Sequence, residues 1–342
     1  MKKFLLLTFV SFILVMGIKP SVVCAQQAPS ITARSAVLYD CNTGRIIFAK
    51  MPDLRLPPAS TIKLLTAMVA MDRLGLSDII TIQQFVNSIE PRKLNLRPGE
   101  RYYVRDLIRA ALMYSANDAA ETLAAAAGGS RAGFARLMNA KARSIGCTNS
   151  NFVRASGLPA ANQYSTSYDM ALIMMEIQKY SFIVDTLKIR GISIRSMGGR
   201  RIYIKSHNRM LWNDPREVLG KTGWTRASSY CFVGHIRVDT RKVVVSMLGS
   251  NNLWADVKKL VDFPFGSVVR CSAPAKRKIS PNNSVYRLQY ALKKAGFNPG
   301  PTDGHYGNKT RYALIRFQKS HGLPATGYAG QLTWKKLKRY LN

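Results

Sequence analysis

Ser60 and Lys63 stand three positions apart at the start of an apolar run, Ser60-Thr61-Ile62-Lys63-Leu64-Leu65-Thr66-Ala67-Met68. On a helix, positions i and i+3 share a face, one turn apart. A serine hydroxyl is a weak nucleophile until a nearby base takes its proton, and a lysine amine can do that when its pKa is lowered. Pro57 and Pro58 favour an extended approach, so a helix is expected from Ala59 or Ser60, with the hydroxyl at its N-terminus. Free N–H groups and the positive dipole end favour developing negative charge there. Taken alone the pair is a weak signal, because Ser-x-x-Lys also arises by chance, with an N-cap serine and a solvated lysine.

Two further groups suit the same acyl-transfer chemistry. Ser115-Ala116-Asn117 follows Ser60 by 55 residues, and Lys221-Thr222-Gly223 lies another 106 residues on. The Ser115 hydroxyl can relay a proton, and the Asn117 amide can hold Lys63 or a substrate amide. Lys221 adds positive charge, which disfavours a protonated Lys63 and attracts a carboxylate. Thr222 offers that carboxylate a hydroxyl. Gly223 lets a substrate backbone lie against the strand edge.

The elements that must position these groups are readable from pattern. Ser35 to Met51 reads as a hairpin turning at Asn42-Thr43-Gly44. The Ser60 helix should run to about Leu74, with Gly75 as its stop. Helices are expected over 104–114, to Ala127 after the Ser115 break, over 134–145 and over 168–179. The second half turns to strands: a hairpin at 192–204, then 217–224, 229–238 and 242–248, closed by a helix over 256–263. Strands, then helices, then strands imply an α+β domain with a mostly antiparallel sheet flanked by helices, the first hairpin joining the last strands.

Residues 271–283 have a linker's composition, and 284–342 read as a small all-α three-helix domain, with helices over 284–295, 309–320 and 330–341. At the other end, Lys2 and Lys3 precede the apolar run Phe4 to Ile18, and Val23-Cys24-Ala25 ends it. This pattern predicts a signal peptide over 1–25, export, and a periplasmic or cell-envelope location for the protein. The domain over 26–270 lies between.

The net charge is +33; removing the leader leaves +30, with +17 in the body and +13 after Arg270. Such charge suggests a polyanionic partner. An exported protein rarely meets nucleic acid, and no nucleic-acid motif is present, so wall polymers or a peripheral contact with anionic membrane surfaces fit better. Export leaves Cys41, Cys147, Cys231 and Cys271, whose spacing matches no zinc pattern and fixes no disulfide. His207, His235, His305 and His321 are scattered and read as structural or surface residues. Asp303 reads as a turn cap, and Phe317 and Trp334 read as core.

With the trio in place the chain resembles the serine D-alanyl-D-alanine carboxypeptidases, the low-mass penicillin-binding proteins. Leu38-Tyr39-Asp40-Cys41-Asn42-Thr43-Gly44, Leu96-Arg97-Pro98-Gly99-Glu100, Asn117-Asp118-Ala119-Ala120, Ser156-Gly157-Leu158, Tyr164-Ser165-Thr166 and Gly220-Lys221-Thr222-Gly223-Trp224-Thr225 carry the likeness over residues 30 to 268. The resemblance implies Ser60 as nucleophile, Lys63 as acylation base, and Ser115 and Asn117 completing the pocket with Lys221. Lys221, Thr222, Gly223 and Trp224 would bind substrate, and the N–H groups of Ser60 and Trp224 would form an oxyanion hole. It implies cleavage between the terminal D-alanines of a peptidoglycan stem peptide, trapping by β-lactam antibiotics, and no metal or other cofactor. The segments 300–307 and 316–324 resemble peptidoglycan-binding three-helix modules, which adds the wall glycan as a partner.

One departure matters. The family often carries an arginine before the last catalytic-domain helix, and Asn251-Asn252-Leu253-Trp254 has none, which leaves a substrate carboxylate to Lys221 and Thr222. A class A β-lactamase would want Ser-Asp-Asn at 115–117 and a glutamate in the 151–161 loop; position 116 is alanine and the loop has no glutamate. D,D-endopeptidase action on cross-links uses the same site. A wall-binding protein with a dead catalytic domain is opposed by intact Ser60, Lys63 and Lys221.

Overall fold

The computed structural model describes residues 28–265 except Asp239, and 284–341 except Asp303, His305, Gly307 and Tyr328. The leader over 1–25, the linker over 271–283, Cys271, Asp303 and His305 therefore lie outside the described residues. The first hairpin is β1 (Ser35–Asp40) and β2 (Arg45–Lys50), with Gly44 at φ 67° in its turn. A short 3₁₀ segment, Ala59–Ile62, leads into α1 (Lys63–Met71). After β3 (Ile79–Thr81) and β4 (Arg101–Tyr103) come α2 (Val104–Arg109), a π-helical turn Ala110–Tyr114, α3 (Asn117–Gly128) and α4 (Arg131–Ser144). Then follow α5 (Ser167–Ile177), α6 (Ser181–Lys188), β5 (Gly191–Arg195), β6 (Arg201–Lys205) and α7 (Met210–Asn213). The body closes with β7 (Glu217–Thr225), β8 (Ser229–Val238), β9 (Arg241–Ser250) and α8 (Leu253–Asp262).

The main sheet is antiparallel in the order β2-β1-β9-β8-β7, so the N-terminal hairpin does join the last three strands. Its strands obey the period of two that a sheet imposes. Val37, Val233 and Val244 face a core shared with α1 to α5, whereas Ala36, Leu38, Phe232, Val243 and Val245 face Val257, Leu260 and Val261 of α8. Both faces are covered, and β7 is left as an edge beside the Ser60 turn.

Several boundaries differ from expectation. The regular part of α1 ends at Met71, and Asp72–Leu74 form a last turn in which the Leu74 N–H still reaches the Ala70 carbonyl at 2.8 Å. Helix α6 was not expected; Ile183, Thr186 and Leu187 pack inward in a segment too short for a strong periodic signal. Helix α8 starts three residues early, because Asp256 sits in its first turn rather than at its start. Cys41, Cys147 and Cys231 are free thiols; burial in β8 pushes the Cys231 thiol up to about 12.

The C-terminal unit holds α9 (Ser284–Lys294), α10 (Asn308–Ser320) and α11 (Gln331–Leu337), with a 3₁₀ turn Lys338–Tyr340 in place of the helix expected to Leu341. Leu288, Leu292, Leu314, Phe317 and Leu337 make its core, and Trp334 packs against it only partly buried. Body and three-helix unit pack as one compact unit.

The first described segment is pinned by one carboxylate. Asp256 accepts from the Thr32 N–H (2.9 Å) and hydroxyl (2.6 Å), the Ala33 N–H (2.9 Å) and the Ser250 hydroxyl (2.7 Å). Asp256→Ala strands these donors and is expected to lower stability by about 2–4 kcal/mol, read as a lower urea midpoint at unchanged slope.

Candidate active site

Ser60 is delivered by a strained turn. Ala59 has φ 49°, a left-handed conformation costly for a residue with a side chain, and the Thr61 hydroxyl ties the turn to the Pro58 carbonyl at 2.6 Å. Two glycines press on it. A Cβ on Gly157, itself at φ 77°, would stand 2.0 Å from the Ala59 carbonyl oxygen; one on Gly223 would stand 2.9 Å from the Ser60 nitrogen. The Ser60 turn is thus gripped between the 156–158 loop and the edge strand β7, and only glycine permits either approach.

Lys63 begins α1 and is completely buried. Its Nζ lies 2.9 Å from Ser60 Oγ, 2.8 Å from Asn117 Oδ1 and within a short hydrogen bond of the Ser156 carbonyl. Two of these partners, the Asn117 and Ser156 oxygens, can only accept. A neutral amine satisfies them with its two N–H groups and leaves its lone pair for the Ser60 hydroxyl proton. Burial lowers the Lys63 pKa to about 7; Glu121 and Asp118 oppose that shift, and Arg92 and Arg154 add to it. Burial depresses the Lys221 pKa as well, with help from the charges of Lys63 and Arg92, and the expected repulsion between the two lysines shows itself there.

Lys221 forms the second half of the site. From β7 its Nζ donates to Ser115 Oγ at 2.9 Å and to the Thr222 carbonyl at 2.7 Å. Ser115 reaches it because the π-helical turn before it ends in a left-handed residue, Ser115 at φ 68°. The structure therefore joins Asn117 to Lys63 and Ser115 to Lys221. Thr222 and Gly223 lie along the β7 edge, and Trp224 follows with its indole exposed, 6.4 Å from the Tyr230 ring.

Four contributors escaped the sequence reading. The Ser156 carbonyl is a backbone group, invisible in a residue pattern. Glu121 is buried and accepts from the Ser156 hydroxyl (2.6 Å) and N–H (3.2 Å), so it fixes the loop that holds Lys63. Asp118 accepts from the Leu94 and Leu96 N–H groups, both at 3.1 Å, and steadies the loop whose Arg92 carbonyl accepts the Asn117 N–H. Exposed Arg92 contacts His207 at 3.2 Å; burial and the charges of Lys221, Arg92 and Lys63 push His207 down to about 3, so it stays neutral. Only the helical spacing of Asp118 and Glu121 from Asn117 offered a signal for the two acids. Among the described residues, no group of His, Cys, Asp or Glu could hold a metal ion.

A buried amine against a serine hydroxyl, with a second lysine and an open strand edge alongside, can perform acyl transfer to serine. Comparison with known proteins agrees. The D-alanyl-D-alanine carboxypeptidase family model matches residues 22–252, and a peptidoglycan binding domain model matches 281–337. D-alanyl-D-alanine carboxypeptidase DacF of Bacillus subtilis is 29% identical over 241 residues, which cover 68% of this chain and 62% of DacF. The D-alanyl-D-alanine endopeptidase of Escherichia coli is 31% identical over 241 residues, covering 68% of this chain and 77% of that protein. The crystal structure of a D-alanyl-D-alanine carboxypeptidase from Mycobacterium tuberculosis superposes with TM-score 0.67 at 27% identity, over 76% of this chain and 100% of that one.

The rate of Ser60 acylation by an activated ester should rise with pH through about 7, as Lys63 loses its proton. Glu121→Gln removes a negative charge that favours protonated Lys63, so the rising limb is expected at lower pH; a limb that stays put or moves up contradicts this electrostatic reading.

Proposed function

The chain belongs to the D-alanyl-D-alanine carboxypeptidase family, and from that premise we propose that it removes the terminal D-alanine from peptidoglycan stem peptides through an acyl-serine intermediate. The observation that carries this reading is the 2.9 Å contact between the buried Lys63 Nζ and the partly exposed Ser60 Oγ. Lys63 takes the hydroxyl proton as Ser60 Oγ attacks the carbonyl between the two D-alanines. The resulting oxyanion is met by the N–H groups of Ser60 and Trp224, an interaction worth roughly 3–4 kcal/mol in comparable sites. Collapse expels D-alanine, whose amine takes the proton back from Lys63, with Ser115 held in place by Lys221, and water then hydrolyses the acyl-enzyme. The substrate lies along the β7 edge at Gly223, and its terminal carboxylate meets Lys221 and Thr222. Burial makes Lys221 reluctant to carry charge by itself, and an arriving anion offsets that penalty.

We take residues 1–25 as an export signal, 26–270 as the catalytic domain, 271–283 as a linker and 284–342 as a domain tethering the enzyme to the wall. The protein then acts outside the cytoplasm, in the periplasm or cell envelope, and β-lactam antibiotics trap Ser60 as substrate mimics. The 31% identity to an Escherichia coli endopeptidase supports a second reading on the same site, cleavage of D,D cross-links.

Ser60→Ala should abolish labelling by a fluorescent penicillin and cut D-alanine release by at least about 10³-fold while leaving thermal unfolding unchanged. Labelling of the variant at the wild-type rate would refute the assignment. Deleting residues 272–342 should weaken sedimentation with cell-wall sacculi and keep turnover of a soluble stem peptide; unchanged sedimentation removes the tethering role. Product analysis on purified muropeptides separates trimming from cross-link cutting.

A further inference from the structure

Away from Ser60 there is a cavity of about 470 Å³ lined by Asp53, Leu54, Arg55, Asn149, Gln331 and Trp334. The first four belong to the body and the last two to α11. The two sides are joined by hydrogen bonds. Arg55 Nη2 donates to Gln331 Oε1 at 2.9 Å, Arg55 Nε to Asn149 Oδ1 at 2.6 Å, and Asn149 Nδ2 to the Asp53 carbonyl at 3.1 Å. The Arg55 guanidinium also lies 4.5 Å from the centre of the Tyr164 ring, which fixes its plane. Gly330 sits so close that a Cβ there would be 3.2 Å from Thr148 Oγ1.

One polar atom in this arrangement is unanswered. Asp53 Oδ1 is buried and has no hydrogen-bond partner. Burial and the neighbouring Asp169 push the Asp53 carboxyl up to about 8, which makes it a neutral acid able to donate and accept. A buried oxygen left bare is destabilising, and the Asp53 side chain, only half-buried as a whole, has to turn it toward the cavity for a ligand hydroxyl to meet it.

We propose that this cavity is a saccharide site shared by the two domains, taking one or two sugar rings of the wall glycan between Asp53 and Arg55 on one side and Gln331 and Trp334 on the other. The inference rests on the reading of the C-terminal domain as wall-binding, and it adds that the catalytic body supplies half of the site. The chemistry favours a neutral, hydroxyl-rich ligand. In a chain of net charge +33 the lining holds a single charged group, Arg55, beside a neutral acid and two amides, which is little charge with which to draw a polyanion. Carboxyl, guanidinium and amide groups are planar forks that match adjacent hydroxyls, each both donor and acceptor. Leu54 and the partly buried Trp334 offer apolar surface for the C–H face of a sugar ring, and the volume falls in the range of small-ligand sites.

The test is calorimetric titration of the full-length protein with peptide-free glycan strands, alongside sedimentation with sacculi. Asp53→Ala and Gln331→Ala should each weaken glycan binding by about tenfold or more, with penicillin labelling of Ser60 unchanged. Because Asp53 Oδ1 contacts no protein donor, its removal should leave the melting temperature equal or higher, so a loss of affinity cannot be laid to unfolding. Glycan affinity unaltered in either variant overturns the shared site while sedimentation of the wild type keeps the tethering reading. Binding of a free stem peptide in place of glycan strands also overturns it. A wild-type protein that fails to sediment with sacculi removes the tethering reading itself, and the shared site with it.

Discussion

An amine sealed from water next to a serine hydroxyl is the constraint on which the rest of the site depends. Lys63 has no exposed surface, and three oxygens surround its Nζ. Taking an ammonium out of water is expensive, and the protein answers by letting the group exist as a free amine near neutral pH. The neighbourhood then divides into two jobs. Asn117 and the Ser156 carbonyl aim the amine, and the strained Ala59–Ser60 turn brings the hydroxyl to it. Gly157 and Gly223 matter because they let the loop and the strand close on that turn without a side chain between them.

The electrostatics follow the same logic at longer range. Glu121 and Asp118 favour the charged form of Lys63, while Arg92 and Arg154 oppose it, and burial outweighs them all. The two acids are structural at the same time. Glu121 holds the Ser156 loop, and Asp118 holds the loop that carries Arg92. They anchor the frame and keep the amine from losing its basicity altogether. Arg92, exposed and in contact with His207, adds a positive charge that disfavours protonation of Lys63, Lys221 and His207 alike.

What the sequence revealed follows from what each signal encodes. Ser60, Lys63, Asn117, Lys221 and Gly223 were legible because short motifs fix side-chain types at set spacing. That the first hairpin joins the last strands was legible because β1, β8 and β9 are apolar runs bounded by turns, and an edge strand was implied by Gly223; the strand order itself was not. The Ser156 carbonyl left no mark, since any residue supplies one. Glu121 looked like one more charge on an alanine-rich helix, and its burial appears only when the 156–158 loop folds over it. Pairing was hidden in part. Asn117 was offered as a partner for Lys63 and meets it, but nothing in the spacing says that Ser115 would meet Lys221; the left-handed turn at Ser115 decides that. Helix ends were the weakest part, as at α1 and α8, because capping turns extend or trim a helix by a few residues without disturbing its apolar face.

The three-helix unit repeats the lesson for Trp334, expected as core. It packs against the core and also lines the cavity facing the body, a double use that periodicity cannot express. Acyl transfer at Ser60 depends on the protonation of one group, Lys63. NMR titration of selectively labelled lysine side chains in the full-length protein measures it directly. The Lys63 amine is predicted to titrate with a midpoint of about 7, while a midpoint at the ordinary lysine value of 10.5 would contradict the account.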